Sequence, residues 1–148
     1  MAEFYVSVPR NSMARQIAKL VNDYNRLYRK HSEYSVLKDR ADYFVEVVAD
    51  KVIGCVGLTK KHPTISEVKH VCVHPQYRRQ GIAKKLINLA MANCKTPYVY
   101  MTIRKDNLPS LLTAKSLGFV LVREDWRKDH YVVTVGRARE NGANCAGK

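Results

Sequence analysis

The chain is expected to form one α/β domain, a mixed sheet of about seven strands with helices on both faces. Three observations carry this. Its 148 residues suffice for a single core and are too few for two ordinary domains. Short β-rich runs alternate with helical periodicity in the order β-α-β-β-β-α-β-α-β-β, which calls for a layered sheet. No repeat or linker divides the chain, so residues 1–137 are taken as the domain and residues 138–148, polar and aperiodic, as a disordered tail.

Residues 3–8 alternate, are β-rich and stop at Pro9, giving the first strand. Asn11 or Ser12 can cap a helix in which Ile17, Leu20, Val21, Tyr24, Leu27 and Tyr28 recur at helical spacing. Residues 31–42 are mixed and polar and read as a loop with room for a short helical turn. Tyr43–Ala49 and Val52–Thr59 form a hairpin about Asp50-Lys51. Residues 65–73 make a fourth strand ending at His74-Pro75, and a basic Gly-containing turn leads into a helix through Ile82, Leu86, Ile87, Leu89 and Ala90. A fifth strand covers Tyr98–Ile103, a short helix 108–117, and two last strands Phe119–Arg123 and Tyr131–Val135.

Composition narrows the function classes. The chain has 46% apolar and 26% charged residues and no apolar run long enough for a membrane span, so no membrane partner is expected. Its first residues lack a basic-then-apolar signal, which makes a cytoplasmic location the default. The four cysteines (Cys55, Cys72, Cys94, Cys145) show no CxxC pairing and read as small buried hydrophobes. His70 and His74 would lie about 13 Å apart along a strand, too far for one ion, so no metal site is expected. The net charge of +13 favours polyanionic partners, which leaves nucleic acid open alongside a solvated basic surface.

The strongest local signal is Arg78-Arg79-Gln80-Gly81-Ile82-Ala83, between a strand and a helix. A helix start offers unpaired N–H groups and the positive end of the dipole. Gly81 lets the backbone approach an anion closely, and Arg78, Arg79, Lys84 and Lys85 add charge.

Val71 to Leu86 resembles motif A of the GCN5-related N-acetyltransferases (GNAT), an apolar strand joined to a Q/R-x-x-G-x-G/A pyrophosphate loop. Asn107 followed by Leu117-Gly118-Phe119 is similar to that family's motif B, and the element order matches over residues 3–136. The resemblance implies a GNAT fold and transfer of an acetyl group from acetyl-CoA to a primary amine by direct attack. It places Arg79, Gln80, Gly81, Ile82, Ala83 and Lys84 around the CoA pyrophosphate, with Arg78 adding charge. Val71, Cys72 and Val73 would pair their backbone with the pantetheine arm like an added strand, and Asn107 would meet the pantetheine or the adjacent loop.

Glu67 lies eleven residues before Arg78, where many relatives keep a glutamate as general base. Strand alternation puts Glu67, Lys69, Val71 and Val73 on one face and Val68, His70 and Cys72 on the other, where His70 is a weaker alternative base and a packed histidine is the commoner outcome. A backbone N–H near Val73 would polarise the thioester carbonyl. Family members often carry a tyrosine as general acid four residues before the Gly of motif B; here that position is Ala114. A thiol with a pKa of about 8.5 can leave as thiolate, so the reaction is slowed and not forbidden. A binding module for acyl-CoA and polyanions with little turnover is the alternative.

The acceptor-reading segments, residues 10–42 and 123–130, are basic and interleaved with Tyr24, Tyr28, Tyr34 and Trp126. The acceptor stays open between a nucleic-acid-linked amine (tRNA or a DNA base), a protein amine and a small amine. Monomer and homodimer are both compatible with the sequence.

Overall fold

A computed structural model describes residues 2–7, 11–25, 32–38 and 41–139. They form β1 (Ala2–Ser7), α1 (Asn11–Tyr24), α2 (Glu33–Lys38), β2 (Asp42–Val48), β3 (Lys51–His62), β4 (Ile65–Val73), α3 (Ile82–Asn93), β5 (Tyr98–Arg104), α4 (Leu108–Ser116), β6 (Val120–Arg127) and β7 (His130–Ala138). The seven strands and their alternation with helices are those the sequence leads one to expect. Leu27 and Tyr28, read as part of the first helix, and residues 140–148 of the tail lie outside the described residues. The last strand runs to Ala138, so the tail's first residue belongs to the sheet.

The chain divides into two compact units, Met1–Thr59 with Val68–Asn93, and Lys60–Glu67 with Cys94–Lys148. β3 and β4 contribute residues to both.

In the first unit the strand order is β1-β2-β3-β4, and β1, β2 and β3 are antiparallel neighbours. Ala49 and Asp50 turn the β2–β3 hairpin with φ of 50° and 65°. Two left-handed residues are what a tight two-residue hairpin demands. Ala14, Ile17, Ala18, Leu20 and Val21 of α1 and Val36 of α2 bury against Tyr43, Val45, Val52, Cys55 and Cys72. The opposite face, reached by alternation through Phe44, Glu46 and Gly54, carries α3. A Cβ on Gly54 would stand 3.1 Å from Ile82 Cγ2 and 3.4 Å from Leu86 Cδ1. Glycine there lets the first turn of α3 lie directly on the sheet.

In the second unit the beginning of β4 pairs parallel with β5, β5 antiparallel with β7, and β7 with β6. Asn107 caps α4, its Oδ1 accepting from Ser110 N at 3.3 Å. Gly118, with φ of 86°, ends it, and Arg137 Nη1 donates to Leu117 O at 2.6 Å. The Leu-Gly-Phe signature is thus a helix stop: a left-handed glycine after the last turn, then Phe119 buried.

Candidate active site

β4 is not a uniform strand. His70 has φ of 56°, a left-handed residue inside an extended run. Its ring is held by Tyr43, whose hydroxyl lies 2.7 Å from Nδ1, with the two rings nearly parallel. Its carbonyl accepts from Cys55 Sγ at 3.3 Å. His70 is therefore the packed histidine the sequence suggests. Its conformation also breaks the two-residue alternation, so the face of Glu67 does not carry over by parity to Val71 and Val73.

Beyond this kink the strand end is tied down by side chains. Asn25 Nδ2 donates to Val71 O at 3.2 Å, and Arg78 Nε donates to Val73 O at 2.9 Å. Cys72 is buried, its Sγ directed at Leu20 O. Burial pushes its thiol up to about 11, against a smaller downward pull from Arg78. Cys55 and Cys94 are buried too, and the Cys55 thiol is raised by burial; Cys145 lies outside the described residues.

His74 organises the turn that follows. Its backbone N–H donates to Ile53 O at 2.7 Å, and its Nδ1 accepts from Gln76 N at 3.1 Å. With Nδ1 accepting, Nε2 holds the proton and faces the Tyr24 hydroxyl at 3.3 Å. Pro75–Tyr77 form a short 3₁₀ turn. Arg79 and Gly81 then adopt φ of 67° and 76°. The intrahelical ladder of α3 begins with Lys85 N donating to Gly81 O at 3.0 Å. The N–H groups of Ile82, Ala83 and Lys84 precede that bond and point out of the helix start. A Cβ on Gly81 would meet nothing within 4 Å, so the turn is open on that side, as an anion cradle needs.

The four basic side chains of this turn do different jobs. Arg78 folds back on β4. Lys85 Nζ pairs with Glu46 Oε1 at 2.8 Å, beneath α3. Glu46 is fully buried, and neither of its oxygens has a well-formed hydrogen bond, so Lys85 is its charge partner. Arg79 and Lys84 are exposed at the helix start. Glu46 escaped the sequence reading, although a lone charge in the apolar run Tyr43–Ala49 was the available signal.

Glu67 and Asn107 belong to the second unit. Glu67 is half-buried and stands directly across from Tyr100 in the β4–β5 register. Lys61 Nζ lies 3.4 Å from its Oε1, with the two side chains 40% and 17% exposed. Tyr100 bonds the same carboxylate; burial raises its phenol first, and the charge of Glu67 raises it further. Neither Lys61 nor Tyr100 was singled out from sequence, because their proximity to Glu67 depends on strand register. Ala114, where relatives often hold a tyrosine, is buried in α4.

The β6–β7 hairpin is exposed along most of β6. Trp126, 59% exposed, packs edge-on against Tyr131, and Lys105 Nζ sits 5.3 Å from the Tyr131 ring centre. Among the described residues no group of three or more His, Cys, Asp or Glu could hold a metal ion, and no helix is long and apolar enough to cross a membrane.

Residues 12–119 match the sequence model described as Acetyltransferase (GNAT) family. The chain is 34% identical over 98 residues to an N-alpha-acetyltransferase of Sulfurisphaera tokodaii, a match covering 56% of this chain and 59% of that protein. It is 29% identical over 96 residues to an N-alpha-acetyltransferase of Saccharolobus solfataricus, covering 55% and 58% respectively. The matched stretch thus spans less than two thirds of these relatives. Among solved structures it resembles a chain of the NatC complex bound to Gag peptide and CoA, with TM-score 0.77, 17% identity and coverage of 93% of this chain and 99% of that one. Ard1 from Thermoplasma volcanium superposes with TM-score 0.75 at 19% identity, covering 93% and 98%. At such identities the structural likeness speaks for a shared fold.

Proposed function

The chain belongs to the acetyltransferase (GNAT) family, and from that premise we propose that it moves an acetyl group from acetyl-CoA to a primary amine by direct attack, with Glu67 accepting the ammonium proton. The observation that carries this reading is the turn from Arg79 to Lys84. Left-handed backbone at Arg79 and Gly81 presents successive N–H donors at the start of α3, with exposed Arg79 and Lys84 beside them. In the proposed complex this turn holds the CoA pyrophosphate, Val71–Val73 accompany the pantetheine, and Asn107 meets the pantetheine or the adjacent loop.

The amine must be neutral to attack. A lysine-type ammonium has a pKa of about 10.4, so at neutral pH a base must take its proton, directly or through water. Tyr100 stands across from Glu67 in the β4–β5 register. The attacking nitrogen bonds to the thioester carbon, a β4 N–H near Val73 stabilises the developing oxyanion, and the thiolate departs without the tyrosine that Ala114 replaces.

For the acceptor we favour the α-amine of a polypeptide, supported by the names of the two archaeal relatives. A second reading, a nucleic-acid-linked amine, draws on the net charge of +13 and on exposed Trp126 beside Tyr131 and Lys105. Incubation with labelled acetyl-CoA and a panel of peptides, aminoacyl-tRNA and small amines, followed by mass spectrometry, tests both. Label on a peptide amine supports the first reading and label on RNA the second. Tight CoA binding with no transfer to any amine returns the chain to a binding module.

A further inference from the structure

We propose that Glu46 is a positioning residue that holds Lys85 away from the CoA phosphates and so sets how firmly spent CoA is retained. The inference rests on the reading of the Arg79–Lys84 turn as the pyrophosphate site. Every group it uses lies in the first compact unit.

Among the described residues Glu46 is the only buried charged residue. It stands opposite Gly54 in the β2–β3 register, where a Cβ on the glycine would meet Ile82 and Leu86. The carboxylate thus sits beneath the first turn of α3, behind the groups offered to the anion. A negative charge there works against an anion unless it is neutralised. Lys85 Nζ, 2.8 Å from Oε1, neutralises it.

Lys85 is also placed to serve the ligand. Its N–H donates to Gly81 O, so it stands one turn beyond the glycine, and helical side chains lean back toward the helix start. The side chain is 44% exposed and the space beside Gly81 is open, so an ammonium released by Glu46 has room to reach a phosphate. Energetics keep it back. Stranding a buried carboxylate costs several times what one exposed ion contact returns. The cofactor therefore meets Arg79 and Lys84, while Lys85 stays with Glu46. CoA carries the same phosphates as acetyl-CoA, so a further cation at the turn would hold product as firmly as substrate and slow its release.

The test is calorimetry of CoA binding to the full chain and two variants over a range of ionic strength, with circular dichroism to confirm each fold. Glu46→Gln releases Lys85, so CoA should bind about fivefold more tightly, the upper end for an exposed ion contact, and its Kd should depend more steeply on salt. Lys85→Met with Glu46→Gln should show the Kd and salt dependence of the unaltered chain, because Lys85 contributes nothing to that complex. This double variant carries the test if Glu46→Gln alone does not fold. Unchanged or weaker CoA binding by folded Glu46→Gln would make the pair a plain support of the turn and overturn the proposal. Weaker binding by the folded double variant also overturns it, since Lys85 would then already serve the cofactor. Either result leaves the proposed function standing as long as the unaltered chain binds CoA. An unaltered chain that binds no CoA sinks the two together.

Discussion

In the turn from Arg78 to Lys84 the groups offered to a ligand are backbone N–H donors, while in the β6–β7 hairpin they are the side chains of Trp126 and Tyr131. The turn is held by a dense set of short contacts: His74 on Gln76 N, Arg78 on Val73 O, and Lys85 on buried Glu46. The hairpin keeps a pair of aromatic rings with a lysine over one of them, and most of β6 is exposed. A region that binds one invariant anion can be built from backbone, which needs only φ values and a helix start. The hairpin, proposed to read the acceptor, offers exposed side chains instead.

The largest expected effect breaks the support of the turn. Lys85→Met strands the Glu46 carboxylate in the core and should cost about 3–5 kcal/mol of stability. Lys85→Met with Glu46→Gln should recover much of that, as read by denaturant unfolding; equal losses in the single and double variants would show that the pair carries no charge coupling. Next comes an alkaline effect in the same unit. The unfolded Cys72 thiol ionises near 9.0 and the folded one at about 11, so above the lower value the unfolded state releases its proton first. Stability should be undiminished below that pH and lose about 3 kcal/mol at most through Cys72 as pH rises through the window, with a further loss through Cys55. Cys72→Ala should remove its own part of this slope and leave the part carried by buried Cys55, and an unchanged slope would take Cys72 out of it.

A crossed pair of variants then separates the two regions. Gly81→Ala places a Cβ in open space but in left-handed backbone, so its cost is conformational, and CoA affinity should drop about tenfold. Trp126→Ala should leave CoA affinity alone and raise the acceptor KM about fivefold, the worth of one aromatic contact. If Trp126→Ala weakens CoA binding as much as Gly81→Ala does, the division of labour is wrong.

What could be read from the sequence follows the same divide. The form of the turn between β4 and α3 was legible because its signal is local: Pro75 and Gly81 punctuate the backbone, and an apolar-periodic helix follows at once. Gly118 was legible for the same reason, as a left-handed stop after Leu117. The kink at His70 was not, because nothing in a histidine's identity announces φ of 56°; Tyr43 and Cys55, distant in sequence, hold it there. The ion pairs of Glu46 with Lys85 and Glu67 with Lys61 were hidden likewise, since each joins residues that only folding brings together. Glu67 came into view only through the resemblance to motif A, and its neighbours Lys61 and Tyr100 required the sheet.

The central claim is that one chain separates cofactor binding, carried by the turn, from proton removal, carried by Glu67. Its most direct test is CoA affinity by calorimetry alongside turnover with a peptide amine for Glu67→Gln. The account predicts an unchanged Kd and a kcat lower by about a hundredfold, the usual scale for losing a general base. An unchanged kcat would remove Glu67 from the chemistry, and a weakened Kd with proportionate loss of turnover would make it a cofactor-binding residue instead.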